Sequence, residues 1–220
     1  GAPKRYVQDA MRERAADRAV LQQDPNTYFF VCVLKSIEEG VVLDLLLLNA
    51  GTCEYVDATD LDLAAFERTF AINFQAVVAA TKFFMPLLKA SLSPQLAIVS
   101  SMAHFFPFTR SEAYGASKAA VSYFVDSLRV DLADSGINIS LIEPGFVDTP
   151  LTQKNDFPMP FLLSSADAAS RIYRALMLGK LRLQFPLRLT LSLKLLNLCP
   201  YGLRQKLAAR MARQAKRGQQ

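Results

Sequence analysis

The sequence predicts an α/β fold built around a mainly parallel sheet. Three short apolar runs, at residues 42–48, 96–99 and 137–142, have the composition of strands buried on both faces. Longer stretches with the apolar spacing of helices separate these runs, and this alternation favours a parallel sheet flanked by helices. At 220 residues, we expect one domain over 1–220, with a basic, leucine-rich C-terminal extension over 187–220.

The N-terminal part combines a helical and an extended pattern. Residues 6–23 carry a charged helical pattern with apolar side chains on one face, and Pro25 interrupts it. The β-forming run 28–34 predicts a strand. A short polar segment, 35–40, then leads into the apolar strand at 42–48.

Further elements follow the central strands in order. A helix is predicted after residue 60, with Asp60 or Asp62 as its N-cap. A second helix is expected to begin near Glu112 and to end at about Asp134, where Ser135 and Gly136 follow. A helix over 165–178 and an alternating edge strand over 181–185 complete the pattern before the C-terminal extension.

Composition limits the classes of function. The three cysteines, Cys32, Cys53 and Cys199, form no C-x-x-C pair, and the chain has one histidine, so we expect reduced thiols and no metal site. The sequence shows no secretory signal and no apolar run near eighteen residues. These observations together favour a cytoplasmic protein.

The net charge of +5 conceals an uneven distribution. Residues 168–220 hold twelve Lys or Arg and no Asp or Glu, which leaves thirteen basic against twenty acidic residues before them. The segment 203–216 predicts a basic helix with one apolar stripe. Contact with an anionic membrane, packing on a second subunit and a solvated helix all remain open for it. Nucleic-acid binding is not expected, because no recognised motif accompanies the charge.

A possible acid–base pair lies at the start of the helix near Glu112. Tyr114 and Lys118 are four residues apart, so both project from one helix face. A phenol titrates near about pH 10, and an ammonium one turn away is expected to lower the pKa of Tyr114. Ser101 follows the strand at 96–99, where its hydroxyl can bind the substrate oxygen that Tyr114 protonates. An ordinary helix start with an exposed lysine also produces this spacing.

Additional motifs make the combination more specific. Asn49-Ala50-Gly51 closes one strand, Asn73 follows in a helical segment, and residues 143–150 (Glu-Pro-Gly-Phe-Val-Asp-Thr-Pro) close another strand. With Tyr-x-x-x-Lys, these motifs resemble the short-chain dehydrogenase/reductase family in their order and spacing, over about residues 42–163. The resemblance implies a doubly wound, Rossmann-like sheet and an NAD(P)-dependent oxidoreductase that interconverts a carbonyl and an alcohol.

The resemblance also assigns roles to residues. Tyr114 would exchange a proton with the substrate oxygen, Ser101 would stabilise the developing alkoxide, and Lys118 would lower the Tyr114 pKa. The implied catalytic set is Asn73, Ser101, Tyr114 and Lys118, with Asn73 supporting a proton path. The implied cofactor-binding residues, for NAD or NADP without distinction, are Asn49, Ala50, Gly51, Tyr114, Lys118, Pro144, Gly145, Val147 and Thr149.

Other expectations from the resemblance concern substrate and assembly. The loop 105–108, with three phenylalanines and a proline, would line the pocket and favour an apolar substrate, and residues 151–163 would form a lid. His104 is expected to be a loop residue without a chemical role. The helix that begins near Tyr114 often forms a dimer interface in the family, so we expect a homo-oligomer.

The N-terminal region departs from the family pattern. The family places a glycine-rich turn, T-G-x-x-x-G-x-G, after its first strand to bind the pyrophosphate. Between Gly1 and Gly40 this chain has no glycine, and about one strand–helix–strand unit is not found. Three explanations remain open: residues that precede this chain, an altered N-terminus, or loss of the dinucleotide site. The last would make the chain a non-enzymatic binding protein.

Overall fold

The computed structural model of the chain describes residues 19–23, 27–37, 40–155 and 159–211. Six strands in these residues form one sheet, and they follow one another across the sheet in chain order. They are β1 (Ala19–Gln23), β2 (Thr27–Ile37), β3 (Gly40–Leu48), β4 (Gln95–Val99), β5 (Asn138–Pro144) and β6 (Arg182–Phe185).

The sheet is parallel from β3 to β6 and antiparallel from β1 to β3. The mainly parallel sheet predicted from the apolar runs is therefore confirmed, and the strand predicted at 28–34 lies within β2. Most of the helix predicted over 6–23 lies outside the described residues. The prediction is wrong for residues 19–23, because their backbone pairs with β2 as strand β1.

Six α-helices are present in the described residues. Asp62 caps the first of them by accepting a hydrogen bond from the Ala64 N–H at 2.9 Å, as one of the two predicted caps. A π-helical turn over Ala71–Gln75 separates the first helix from the second. The helices are α1 (Leu63–Phe70), α2 (Ala76–Lys89), α3 (Glu112–Asp131), α4 (Ser165–Met177), α5 (Leu187–Leu198) and α6 (Tyr201–Met211).

Helices pack on both faces of the sheet because strand side chains alternate between the faces. On one face, Leu46 and Leu48 pack against apolar residues of α2 and α3. On the other face, Leu45 and Leu47 pack with the apolar side of α4. The predicted doubly wound, Rossmann-like arrangement is therefore confirmed for the part of the chain that the structure describes.

A bulge in β3 changes this alternation near Asp44. The β2 residues Val33 and Leu34 pair with Leu45 and Leu43, so Asp44 has no partner residue in the ladder. The Asp44 carboxylate instead accepts a hydrogen bond of 2.5 Å from the Ser91 hydroxyl. The bulge thereby places Leu43 in the same core cluster as Leu46.

The helical stretch Leu63–Lys89 is 27 residues long and apolar enough to cross a membrane by length and composition. Core helices of soluble proteins also meet this criterion. In the structure, Val77, Phe84 and Leu88 of this stretch are buried against the sheet. Packing against the sheet therefore accounts for these buried apolar residues of the stretch.

The carboxyl ends of β3, β4 and β5 meet at one edge of the sheet. Asn49 follows β3, Ser101 follows β4, and Gly145 follows β5, so the three predicted motifs converge there. Helix α5 packs near this edge, where Leu189 and Leu193 form a cluster with residues of the loop after β4. In open α/β sheets, this edge is where ligands bind.

Candidate active site

The Lys118 side chain is buried where α3 passes the end of β4. Its ammonium donates a hydrogen bond to the Val99 carbonyl at 3.1 Å. Burial lowers the pKa of Lys118 to about 8. An ammonium carries three donors, and Val99 is its one hydrogen-bond acceptor among the residues that the structure describes. Two of its donors thus have no hydrogen-bond acceptor among these residues.

Tyr114 and Ser101 form a second pair beside this lysine. The Lys118 nitrogen lies 6.0 Å from the centre of the Tyr114 ring. The Ser101 hydroxyl hydrogen-bonds the Tyr114 phenol. Ser101 Oγ also accepts a hydrogen bond of 3.1 Å from the Ala103 N–H, which leaves its own hydrogen for the bond to the phenol. The sequence-predicted trio therefore converges, with the two hydroxyl groups in contact.

The expected lowering of the Tyr114 pKa is wrong for this structure. Burial raises the pKa of Tyr114 to about 12, although the hydrogen bond from Ser101 acts in the opposite direction. Lys118 is not among the groups that shift the pKa of Tyr114 in this structure. Because the pKa of Lys118 is itself about 8, its charge is lost before Tyr114 would ionise. Tyr114 is therefore a protonated phenol at neutral pH.

Asn73 is fully buried in the π-helical turn and binds the loop that follows β3. Its Oδ1 accepts from the Thr52 N–H at 2.8 Å, and its Nδ2 donates to the Thr52 carbonyl at 2.9 Å. Nδ2 also donates to the Ser117 hydroxyl at 2.9 Å. Asn73 therefore fixes the loop after β3 against α3, one residue from Lys118.

Glycine at position 51 allows this loop to approach the site closely. A Cβ atom at Gly51 would lie 3.4 Å from the Lys118 nitrogen and 3.7 Å from Asn73 Oδ1. Asn49 is exposed at the sheet edge, whereas Ala50 is buried. The predicted Asn49-Ala50-Gly51 motif thus lies directly beside the buried ammonium.

The second predicted cofactor segment follows β5 at the same edge. The Gly145 N–H donates to the Phe185 carbonyl at 2.8 Å, and a Cβ at Gly145 would lie 2.6 Å from a Leu189 methyl group. The Thr149 and Thr152 hydroxyls are 3.2 Å apart, so Thr149 already has a partner in its own turn. The predicted residues of this segment are Pro144, Gly145, Val147 and Thr149.

A cavity of about 510 Å³ opens in front of Ser101 and Tyr114. Its volume is within the range of small-molecule sites, and most of its lining side chains are apolar. In the loop 105–108, residues 106–108 line the cavity, whereas Phe105 packs against the His104 ring. The predicted pocket role of this loop is therefore supported for three of its four residues.

Other walls come from segments distant in the sequence. Leu151, Thr152, Asn155 and Pro160 of the predicted lid line the cavity, while residues 156–158 lie outside the described part of the chain. The Tyr55 hydroxyl donates to the Asn155 side chain and so joins the loop after β3 to the lid.

The C-terminal helices contribute a wall that the sequence analysis did not identify. Leu189 and Leu193 of α5 and Ala208 of α6 line the cavity. The four-residue spacing of the two leucines places them on one face of α5. That spacing was a usable signal for a buried face, although it did not indicate which surface the helix would cover.

Behind the site, a buried carboxylate links several elements. Glu143 on β5 accepts hydrogen bonds from Arg182 Nε and Gln184 Nε2, both at 2.7 Å. His104 Nε2 lies 2.5 Å from the same carboxylate, and the Ser122 hydroxyl donates at 3.4 Å. Burial raises the pKa of Glu143, but the hydrogen bonds from His104, Arg182 and Gln184 outweigh burial and hold it at about 2.

This network supports the residues of the site. His104 ends the 3₁₀ turn that Ser101 caps, so its contact with Glu143 fixes that turn to β5. Ser122 shares a 2.8 Å hydrogen bond with Ser100, which donates to the Lys118 carbonyl at 2.8 Å. His104, expected to have no chemical role, is in this structure part of the scaffold behind the site.

Comparison with known proteins identifies chains that are similar in sequence. A model of the short chain dehydrogenase family matches residues 31–158. An uncharacterised oxidoreductase of Myxococcus xanthus is 33% identical over 169 residues, which cover 77% of this chain and 67% of that protein. The 11-beta-hydroxysteroid dehydrogenase A of Sesamum indicum is 37% identical over 112 residues, covering 50% of this chain and 32% of that protein. A third relative is the estradiol 17-beta-dehydrogenase 2 of Rattus norvegicus, and the matched segments span between 28% and 67% of the length of these three curated proteins.

Solved structures share the fold. A short chain dehydrogenase from Burkholderia cenocepacia in complex with NADP matches with a TM-score of 0.65 and 22% identity, covering 77% of this chain and 69% of that one. A short-chain dehydrogenase from Sphingobium yanoikuyae in complex with NADPH matches with a TM-score of 0.61 and 22% identity, covering 80% and 69%. At this level of identity, the likeness concerns the fold alone.

The buried carboxylate predicts a pH dependence of stability. The folded pKa of Glu143, about 2, lies below its ordinary value of 4.5, so the carboxylate stabilises the fold above pH 4.5 and loses this effect as the pH falls toward 2. In chemical unfolding experiments, the free energy of unfolding is expected to fall by about 3 kcal/mol between pH 7 and pH 2 because of this group. Glu143→Gln should be less stable at pH 7 and flatter in acid, while Glu67→Gln, an exposed control, should follow the wild type. Equal acid dependence in wild type and Glu143→Gln would contradict the assignment.

Proposed function

Because the chain belongs to the short chain dehydrogenase family, we propose that it is an NAD(P)-dependent oxidoreductase that interconverts a carbonyl and an alcohol on an apolar substrate. The observation that carries this proposal is the convergence of Ser101 and Tyr114 on an apolar cavity, with the Lys118 ammonium buried 6.0 Å from the centre of the Tyr114 ring. Named relatives are oxidoreductases or dehydrogenases, which favours an enzyme over a non-enzymatic binding protein.

The residues at the sheet edge fit the nicotinamide end of a dinucleotide. Lys118 keeps two ammonium donors for a ribose, and the backbone of Gly51 beside it carries no side chain to obstruct the approach. Related folds were solved with NADP or NADPH, which supports this class of cofactor without separating NAD from NADP. When bound, the nicotinamide supplies or accepts the hydride.

The chain's own residues handle the proton and the charge on oxygen. Tyr114 donates its phenolic proton to the carbonyl oxygen as the alcohol forms, and accepts one in the reverse direction. Ser101 donates a hydrogen bond to the same oxygen and stabilises its developing negative charge. Lys118 keeps a positive charge close to Tyr114, and Asn73 holds the adjoining loop in place.

The protonation state of Tyr114 favours carbonyl reduction over alcohol oxidation at neutral pH. With a pKa of about 12, Tyr114 is ready to give a proton but is a weak base in the free protein. Carbonyl reduction needs a proton donor at this position, whereas alcohol oxidation needs a phenolate. We therefore expect faster turnover with carbonyl substrates than with the corresponding alcohols at neutral pH.

The cavity limits the substrate class. Met102, Phe106, Phe146 and Leu193 provide a broad apolar lining around the two hydroxyl groups of the site. A substrate with a bulky hydrocarbon body and one carbonyl near its edge matches this distribution, because burial of apolar surface stabilises binding.

A homo-oligomer through α3 is part of the same proposal. Tyr123 and Val130 on this helix are 79% and 76% exposed, although both are large and apolar. A second copy packed on α3 would remove these side chains from water.

Replacement of Tyr114 by phenylalanine tests the proposal most simply. Loss of the proton donor is expected to lower kcat for reduction of a bulky apolar ketone by at least about a hundredfold, with little change in KM. Tyr173→Phe, which alters an exposed tyrosine on α4, serves as the control and should keep wild-type activity. Similar activity in Tyr114→Phe and wild type would contradict the role of Tyr114.

The pH profile of reduction provides a separate test. Burial lowers the pKa of Lys118 to about 8 and raises that of Tyr114 to about 12, so the first proton lost as the pH rises comes from Lys118. The rate of reduction is therefore expected to be constant below pH 7 and to fall as the pH rises through about 8. A rate that stays constant up to pH 10 would show that the charge of Lys118 is not required.

A further inference from the structure

Helix α5 is apolar on its outer side as well as its inner side. Leu189 and Leu193 are buried and line the cavity. A second row of leucines points away from the fold, and each of its members is between 65% and 82% exposed. This row consists of Leu187, Leu191, Leu195 and Leu198. A helix that is apolar all round normally has a cover on both sides.

Basic side chains flank this row. At 3.6 residues per turn, Arg188 and Lys194 lie on opposite flanks of the outer leucines, and both are exposed. Helix α6 adds exposed Lys206 and Arg210. Residues 168–220 contain no Asp or Glu, so no acidic side chain of this segment offsets these charges. The surface is therefore apolar along its centre and positive at its margins.

We propose that this surface rests on an anionic lipid bilayer. The α5–α6 face, by which we mean the four outer leucines with Arg188 and Lys194 on α5 and the exposed Lys206 and Arg210 that follow on α6, has the chemistry of an interfacial helix. Its leucines would enter the boundary of the acyl chains, and its cations would extend to the phosphate groups.

Charge distinguishes this partner from a second copy of the chain. In a two-fold interface the same patch meets itself, so Arg188 and Lys194 of both copies would approach each other without an acidic residue of α5 or α6 between them. An anionic bilayer supplies the opposite charge along the whole face. The distribution of charge therefore favours lipid.

The position of the α5–α6 face also bears on substrate delivery, a consequence that rests on the proposed function. The same helix that presents leucines outward lines the cavity with Leu189 and Leu193. The cavity that contains Ser101 and Tyr114 would thus lie directly behind the helix that contacts the bilayer, close to an apolar ketone dissolved there. Lipid binding itself requires no turnover.

Vesicle sedimentation of the full chain tests the proposal. Vesicles of phosphatidylcholine with about one third phosphatidylglycerol should bind the protein, and binding should weaken in high salt and with pure phosphatidylcholine. Leu191→Ser/Leu195→Ser is expected to lower the affinity at least about tenfold, and Arg188→Glu/Lys194→Glu at least about twentyfold. Two matched controls should bind as the wild type does. They are Leu92→Ser, at a 98% exposed leucine before β4, and Lys89→Glu, at the end of α2.

Three results would overturn the proposal. The first is no binding to anionic vesicles by the wild type, and the second is equal binding by wild type and the paired variants. The third is a wild-type dimer in sedimentation velocity that Leu191→Ser/Leu195→Ser converts to monomer, because the cover would then be a second copy. Reduction of a water-soluble ketone without vesicle binding would refute the lipid surface alone, whereas vesicle binding without turnover would refute only the proposed function.

Discussion

The arrangement of the site depends on one buried cation. An ammonium in a protein interior loses its hydration, so it needs fixed polar partners nearby. The Lys118 ammonium donates a hydrogen bond to the Val99 carbonyl at the end of β4, and burial lowers its pKa to about 8. The absence of a side chain at Gly51 leaves room beside this ammonium, and the bonds from Asn73 to Thr52 keep the loop in that position. The ammonium thus lies directly beside the backbone of the loop that follows β3.

Two different environments meet at this cation. Behind it, Glu143 and its partners form a hydrogen-bonded polar cluster that connects β5 and β6 to the turn containing His104. In front of it, aromatic and aliphatic side chains surround a cavity with Ser101 and Tyr114 at its inner end. The polar cluster restricts movement of the site, because its buried members have few alternative partners. An apolar cavity favours the binding of apolar groups, because their burial removes hydrocarbon surface from water.

Local patterns predicted the parts of this arrangement that depend on neighbouring residues. The apolar runs predicted β3, β4 and β5, and the four-residue spacing of Tyr114 and Lys118 placed them on one helix face. The raised pKa of Tyr114 was not predictable, because burial depends on segments far away in the chain. For the same reason, the 39-residue separation of His104 and Glu143 concealed their contact. No glycine-rich turn of the family type occurs between Gly1 and Gly40, so the local patterns of the sequence predict only the nicotinamide end of the site.

The central claim, that this sheet edge binds a nicotinamide dinucleotide through Lys118, is tested most directly by fluorescence titration of NADH and NADPH. We expect saturable binding to the wild-type chain, weakened at least about tenfold in Lys118→Met, which fills the same space without donors. Lys82→Met, at an exposed position on α2, should bind as the wild type does, and circular dichroism would verify that each variant is folded. No binding to the wild type at millimolar nucleotide, or equal binding to folded Lys118→Met, would contradict the account.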